Sequence, residues 1–267
     1  MAPDYQSLGL ALSQQQTGLV LEVVDSLDST NSELMRRARA GVGQPTLLVA
    51  QHQTAGRGRL GRQWLSQEHH TGSDGSRAAG ESLTFSLGLP LPVADWSGLS
   101  LAVGLSLASS LHPDLRLKWP NDIWLEQRKL AGILIETVAI GSVRQAIVGV
   151  GINLGPRGAS GLARAPAWLQ EVLPQIDAPT TLLRLVPGLL RTLKEFESLG
   201  FAPFRAGFAQ RDALFGTSVS LSDGTLGCAE GVDARGALLL RTAQGLRAIS
   251  SDEVSLRAPS TGAQAAA

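Results

Sequence analysis

The sequence predicts an α/β fold with a small β-barrel appended at its C-terminal end. Three observations lead there. Between residues 19 and 199, short apolar strand-like runs alternate with segments of helical period. From 217 to 257 the pattern changes to brief β-like runs split by Asp-Gly, Arg-Gly and Gln-Gly turns. A chain of 267 residues with 43% hydrophobic content can bury one full core, or a large core and a small one.

The elements follow in order. Residues 1–17 are polar and weakly patterned, and are expected to be a loose lead-in. Leu19–Val24 reads as a first strand. Asp28-Ser-Thr-Asn31 gathers helix-capping types, so a helix is expected through Glu33–Ala40, stopping at Gly41. Thr46–Ala50 is apolar and bounded by Pro45, a second strand. The Gly/Ser-rich stretch 67–82 is expected to be a mobile loop. Leu83–Leu87 alternates as a strand, and 96–111 carries Leu99, Val103, Leu107 and Leu111 on one helical face. Leu115–Leu125 and Arg128–Glu136 read as two strands joined by the turn Glu126-Gln-Arg. Ala146–Leu154 is a further strand carrying glycines, and 180–199 an amphipathic helix. Runs at Ser218–Leu221, Gly227–Asp233, Ala237–Arg241 and Leu246–Ile249 make the small β unit, and the low-complexity tail is expected to be disordered. The division is therefore lead-in 1–17, core domain 18–212, barrel 213–258 and tail 259–267.

Composition excludes several classes. A formal net charge of 0 gives no global electrostatic reason to bind nucleic acid or membrane. No apolar run approaches the ~20 residues of a membrane span, and the N-terminus lacks a basic region followed by an apolar core. The lone Cys228 excludes an intrachain disulfide framework or a cysteine-cluster metal site, and a reducing cytoplasm is the expected home. His52, His69, His70 and His112 lack metal-like companions.

The least ordinary stretch is Gln53-Thr-Ala-Gly-Arg-Gly-Arg-Leu-Gly-Arg-Gln-Trp64, where Gly56, Gly58 and Gly61 interleave with Arg57, Arg59 and Arg62. Glycine admits close backbone approach, and arginine supplies a fork that fits phosphate or carboxylate oxygens. The loop is suited to closing over a nucleotide triphosphate. Residues 56–61 also spell G-x-G-x-x-G, but that dinucleotide fingerprint needs a helix opening at it, and Arg59–Trp64 has neither a cap nor an apolar helical period.

Only three lysines occur, Lys118, Lys129 and Lys194, and two of them flank a second unusual region. Lys118-Trp-Pro-Asn-Asp122 packs a cation, a ring, a turn former, an amide and a carboxylate together. The amide suits an adenine edge and the carboxylate a cation; alternatively, Pro-Asn-Asp is simply a turn between strands, the reading favoured for the tripeptide alone. Lys129 stands at the mouth of an apolar strand containing Gly132. Gly149 and Gly151 occupy alternate positions, hence one face of a sheet, and bare it into a slot for a small planar ligand. Ser29, Thr30 and Asn31 serve either as a helix cap or as partners for a neutral, hydrogen-bonding head group. No Gly-x-Ser-x-Gly elbow or other covalent nucleophile is evident.

Taken together these motifs resemble the biotin–protein ligase family, from about Val24 to Arg257: Ser-Thr-Asn (29–31), Gly-Arg-Gly-Arg-x-Gly-Arg (56–62), Lys-Trp-Pro-Asn-Asp (118–122), Lys-Leu-Ala-Gly-Ile-Leu (129–134) and Gly-x-Gly-Ile-Asn (149–153), with Gly231–Leu240 and Glu253–Arg257 resembling the family's small barrel. The resemblance implies a mixed-sheet ligase domain with an SH3-like barrel. It implies that biotin's carboxylate attacks the α-phosphate of MgATP to give biotinyl-AMP, and that a lysine of a biotin carboxyl carrier protein then attacks that anhydride. By the same resemblance Ser29, Thr30, Asn31 and Gln53 hold the biotin head, and Gly56, Gly132, Gly149 and Gly151 line the slot. Arg57, Arg59 and Arg62 close over carboxylate and phosphates, while Trp64, Asn121 and Asn153 contact the adenine side. Lys129 reaches carboxylate and α-phosphate, Asp122 is an electrostatic partner in the chemistry, and Arg257 approaches from the barrel. The groups that bind Mg²⁺ are not identified. The arginine–glycine loop is expected to order on ligand binding.

Two departures shape the expectation. Only 28 residues precede Ser29, too few for the DNA-binding module of repressor-type relatives, so a ligase without operator binding is expected, as monomer or homodimer. The span after Trp64 is expanded by His69–Ala79, and Ser82 stands where relatives carry asparagine. A lipoate or octanoate transferase shares the core fold, but its Arg-Arg-x-Ser-Gly-Gly-Gly-like pattern is absent. A non-catalytic biotin sensor or DNA-binding regulator is disfavoured by the neutral charge.

Overall fold

A seven-stranded mixed sheet carries the site, and in the computed structural model residues 5–15, 18–65, 82–141, 143–156, 165–251 and 254–256 are described. The expected loop at 67–82, apart from Ser82, the insertion His69–Ala79, Arg257 and the C-terminal tail lie outside these residues. Strands β1 (Val20–Leu27) and β2 (Thr46–Gln53) pair in parallel across the helix α2 (Thr30–Arg39). All other pairings are antiparallel, through β3 (Ser82–Pro90), β4 (Arg116–Lys118), β5 (Asp122–Leu125), β6 (Arg128–Ile140) and β7 (Val143–Asn153), in the order β1-β2-β3-β7-β6-β5-β4.

Alternation along β3 sorts its side chains between two layers. Leu83, Phe85 and Leu87 join the main core with α3 (Leu99–Leu111) and α4 (Ala178–Leu199). Thr84 and Ser86 point to the other face, where α2 lies on a smaller cluster of Leu34, Met35, Leu48 and Ile147. Register then builds that second face in rows: Thr84–Gly151–Gly132, Ser86–Gly149–Leu134 and Gly88–Ile147–Glu136 run across β3, β7 and β6.

Two local expectations need correction. The lead-in contains a helix, α1 (Tyr5–Gln15), whose Leu8 and Leu12 are 1% exposed in the main core. Those two positions are four apart and so share one helical face, but the exposed Leu10 between them blurs their period. The run Leu115–Leu125 is not one strand. A cis Trp119–Pro120 bond stands between β4 and β5, which fold back on each other with Lys118 opposite Asp122, so Pro-Asn-Asp is indeed a turn. Short α5 (Arg205–Arg211) was not foreseen.

The C-terminal strands β8 (Ser218–Leu221), β9 (Leu226–Val232), β10 (Leu238–Thr242), β11 (Gly245–Ile249) and β12 (Val254–Leu256) form an antiparallel sheet in the order β11-β10-β9-β8-β12. It is joined to the larger unit by polar contacts. Trp119 Nε1 donates to Gly236 O at 3.0 Å, Arg205 Nε donates to Val232 O at 2.9 Å, and Arg235 pairs with Asp95 at 2.9 Å.

Candidate active site

One cleft opens over the glycine rows, and its two ends differ chemically. At one end the N-terminus of α2 supplies Ser29, Thr30 and Asn31, each 3% exposed. Ser29 is the N-cap, its Oγ accepting from Ser32 N at 3.4 Å, so the capping reading of this element holds. Thr30 N donates to Gln53 Oε1 at 2.7 Å. The Asn31 amide donates to Leu134 O at 3.1 Å and Glu136 Oε2 at 3.0 Å, which leaves its Oδ1 as an acceptor. Ser86 Oγ lies 2.6 Å from both Asn31 Oδ1 and Thr30 Oγ1, and Thr30 Oγ1 in turn donates to Gln53 Oε1 at 3.1 Å, so the one Ser86 proton is shared between the two oxygens. The result is an oriented polar shelf whose members fix one another.

At the other end the cleft is cationic. Arg59, Arg62, Lys118 and Lys129 line it, with Asp122 as the carboxylate among the described lining residues, while the Arg57 guanidinium stands beside the shelf, donating to Ser32 Oγ at 3.3 Å. Lys129 Nζ stands 2.7 Å from Asp122 Oδ1, an ionic contact without hydrogen-bond alignment. Lys129 is about half exposed and Asp122 largely covered, so the carboxylate holds the ammonium at the cleft wall. The arginine loop folds on itself: Trp64 N donates to Gly56 O at 2.9 Å, and Gly58 N to Arg62 O at 2.7 Å. Its Arg59–Gly61 segment is a single 3-10 turn with Leu60 at φ 53, not an α-helix, so the dinucleotide fingerprint lacks its helix. Arg59 Nη2 donates to Ser251 Oγ at 3.2 Å, tying the loop to the C-terminal sheet, whose Val254 and Ser255 complete the wall.

The bare strip predicted at Gly149 and Gly151 is real, and two side chains rest on it. A Cβ at Gly149 would stand 2.1 Å from Asn31 Oδ1, and one at Gly151 would stand 2.4 Å from Trp64 Cε2. The strip thus seats the shelf and the Trp64 ring as well as flanking the cleft.

Of the expected site residues, Ser29, Thr30, Asn31, Gln53, Arg57, Arg59, Arg62, Trp64, Asn121, Asp122, Lys129, Gly132, Gly149 and Gly151 line this one cleft. Gly56 does not. A Cβ there would come within 2.3 Å of Trp64 O, so it closes the loop. Asn153 is buried behind the cleft, donating to Ala167 O at 2.9 Å, and Asn121 donates to Ile133 O at 2.9 Å. Both amides brace backbone. Ser86, Thr84, Gln63 and Lys118 were not among the expected site residues. Ser86 and Thr84 were legible only as the polar phase of an alternating strand. Among the described residues no group of three His, Cys, Asp or Glu could hold a metal ion, and no helix is long and apolar enough to cross a membrane.

Comparison with known proteins agrees with this geometry. The biotin/lipoate A/B protein ligase family matches residues 23–153, and the biotin protein ligase C-terminal domain matches 218–257. The chain is 33% identical to the bifunctional ligase/repressor BirA of Escherichia coli K12, over 91% of this chain and 76% of that one. It is 34% identical to the biotin–[acetyl-CoA-carboxylase] ligase of Paracoccus denitrificans, over 85% of this chain and 96% of that one. The biotin protein ligase of Aquifex aeolicus, solved with biotin and ATP, superposes with a TM-score of 0.73 at 31% identity, covering 89% of this chain and 98% of that one.

Proposed function

Because the chain belongs to the biotin/lipoate A/B protein ligase family, we propose that its cleft activates biotin with ATP and passes the biotinyl group to a lysine of a carrier protein. The observation that carries this reading is the polarity of one cleft: an oriented neutral shelf at one end, a glycine strip between, and the cations Arg59, Arg62, Lys118 and Lys129 at the other. A neutral bicyclic urea fits the shelf, and its carboxylate tail then reaches the cations, where triphosphate also gathers.

The chemistry needs positioning and charge neutralisation more than a protein nucleophile. A biotin carboxylate oxygen attacks the α-phosphorus, the bond to the β-phosphate oxygen breaks, and pyrophosphate leaves with both electrons. Lys129 stands where both anions meet and lowers their mutual repulsion, while Asp122 keeps it there. Arg59 and Arg62 neutralise the phosphates, and Arg57 stands on the biotin side of the cleft. In the second step a neutral carrier lysine attacks the acyl carbon, AMP departs, and the amine proton goes to solvent. Mg²⁺ would enter with the ATP phosphates and supply further charge neutralisation there. Thr30, Ser29 and Gln53 orient the ureido group, and the Trp64 ring on Gly151 shields the intermediate from water.

Pyrophosphate exchange into ATP tests the first half-reaction. Exchange is expected with biotin and absent with lipoate or no acid. Exchange with lipoate alone would assign the chain to the other acid, and no exchange with either would refute the ligase reading.

A further inference from the structure

Glu136 lies outside the cleft lining and outside every motif read from the sequence, yet it joins the cleft's two halves. It sits on β6 one row beyond Leu134, on the face that α2 covers. Its Oε1 accepts from Arg57 Nη2 at 2.9 Å, and its Oε2 accepts from Asn31 Nδ2 at 3.0 Å. Arg57 Nη1 also donates to Ser32 Oγ at 3.3 Å, on the first turn of α2. A continuous path of polar contacts therefore runs from Arg57 through Glu136, Asn31 and Ser86 to Thr30. The Glu136 side chain is 21% exposed and that of Arg57 46%, so the carboxylate is the better-anchored partner.

We propose that Glu136 is the positioning residue that couples the arginine loop to the head-group shelf, setting Arg57 in the cleft wall and orienting Asn31 beneath the ligand. The proposal rests on the ligase reading. A carboxylate is required because both partners are N–H donors, and only a group accepting through two oxygens serves both. Glutamine keeps the shape but turns one of those oxygens into a donor. Aspartate is shorter by one methylene and cannot span the two partners from the same backbone position.

The test is a double-mutant cycle on biotin affinity, read by titration calorimetry so that catalytically weak variants still report. Glu136→Gln is expected to weaken biotin binding by about ten-fold, the scale of a coupled charged contact. Its ATP KM in biotin-dependent exchange should stay within about two-fold of the parent, and its Tm within a few degrees. In an Arg57→Ala background the same Glu136→Gln change should cost less than about two-fold, because its partner is already gone. Biotin affinity within about two-fold of the parent for Glu136→Gln, or a full additive loss in the Arg57→Ala background, overturns the proposal. A parent chain that shows no biotin-dependent exchange instead removes the ligase reading on which it depends.

Discussion

At the scale of single residues, the cleft divides into groups held by other groups and groups held by backbone, and the consequences of substitution differ accordingly. Lys129 is held by Asp122 at 2.7 Å. Removing its charge in Lys129→Ala is expected to lower the rate of biotinyl-AMP formation by at least about a hundred-fold, since one preorganised charge at a developing oxyanion is worth roughly 3 kcal/mol. Single-turnover measurement with labelled ATP checks this, and undiminished adenylate formation would remove Lys129 from its assigned role. Asp28 shows a different logic. The Arg36 guanidinium beside it, bonded at 2.7 and 2.8 Å, holds its carboxyl down at about 2 from an ordinary 3.8. A depressed carboxylate stabilises the fold above its unfolded value, and that contribution disappears as pH falls through the folded value. Asp28→Asn should therefore lower Tm slightly at pH 6, and the difference from the parent should vanish as pH falls from 4 to 2. Both partners are about half exposed, so the effect at pH 6 stays under about 1 kcal/mol. Residue roles were unevenly legible. Alternating glycines announced a bare strip because the period of a strand is visible locally. That Asn31 and Trp64 would rest on it was not, because those contacts join positions about 90 to 120 residues apart in sequence. That the Asn121 and Asn153 amides brace backbone was not legible, because a backbone carbonyl that claims a side chain leaves no trace in a motif.

Elements were read more fully than residues, and the exceptions share a cause. β3 showed a clean period because its two buried faces differ in chemistry, apolar core on one and polar shelf on the other, and α3 because Leu99, Val103, Leu107 and Leu111 share one stripe in the core. α1 failed to show because Leu10 stands exposed between the buried Leu8 and Leu12 and blurs the face they form with Tyr5. The strand expected at Leu115–Leu125 is split by the turn after Trp119, and the apolar alternation on either side of that turn carried the one-strand reading. Among the helices, α4 offers the plainest test of a local signal acting apart from the cleft. Asp177 is its N-cap, the Oδ1 accepting from Thr180 N at 2.8 Å. Asp177→Ala removes that acceptor from an otherwise unpaired N–H and should cost about 1 kcal/mol of stability, while Asp177→Asn should recover most of it. Urea unfolding with unchanged slope is the measurement, and biotin-dependent exchange at 25 °C should match the parent in both variants.

For the whole molecule the question is whether the C-terminal sheet is an appendage or part of the catalytic body. Three things argue for the second. Arg59 reaches across to Ser251, and Val254 and Ser255 stand in the cleft wall, so the site is incomplete without β12. Packing at the join is tight, for a Cβ on Gly236 would lie 2.8 Å from Gly98 Cα. The join is also anchored from within the Lys-Trp-Pro-Asn-Asp segment: Trp119, 1% exposed, donates its indole N–H to Gly236 O while its neighbours Pro120 and Asn121 line the cleft. The tryptophan of that motif thus serves assembly, while the residues on either side of it line the cleft. Trp119→Phe keeps a ring but loses the donor and leaves the Gly236 carbonyl without that bond in a buried place. A cost of roughly 1–3 kcal/mol is expected. If the two sheets form one cooperative body, the variant melts in a single calorimetric transition at lower temperature, with calorimetric and van't Hoff enthalpies still equal. Two resolved transitions in the parent, with only one of them shifted by Trp119→Phe, would show instead that the barrel folds by itself. In that case the contact between Arg59 and Ser251 would have to form and break as the barrel docks, and exchange activity in the variant would fall well below the melting range.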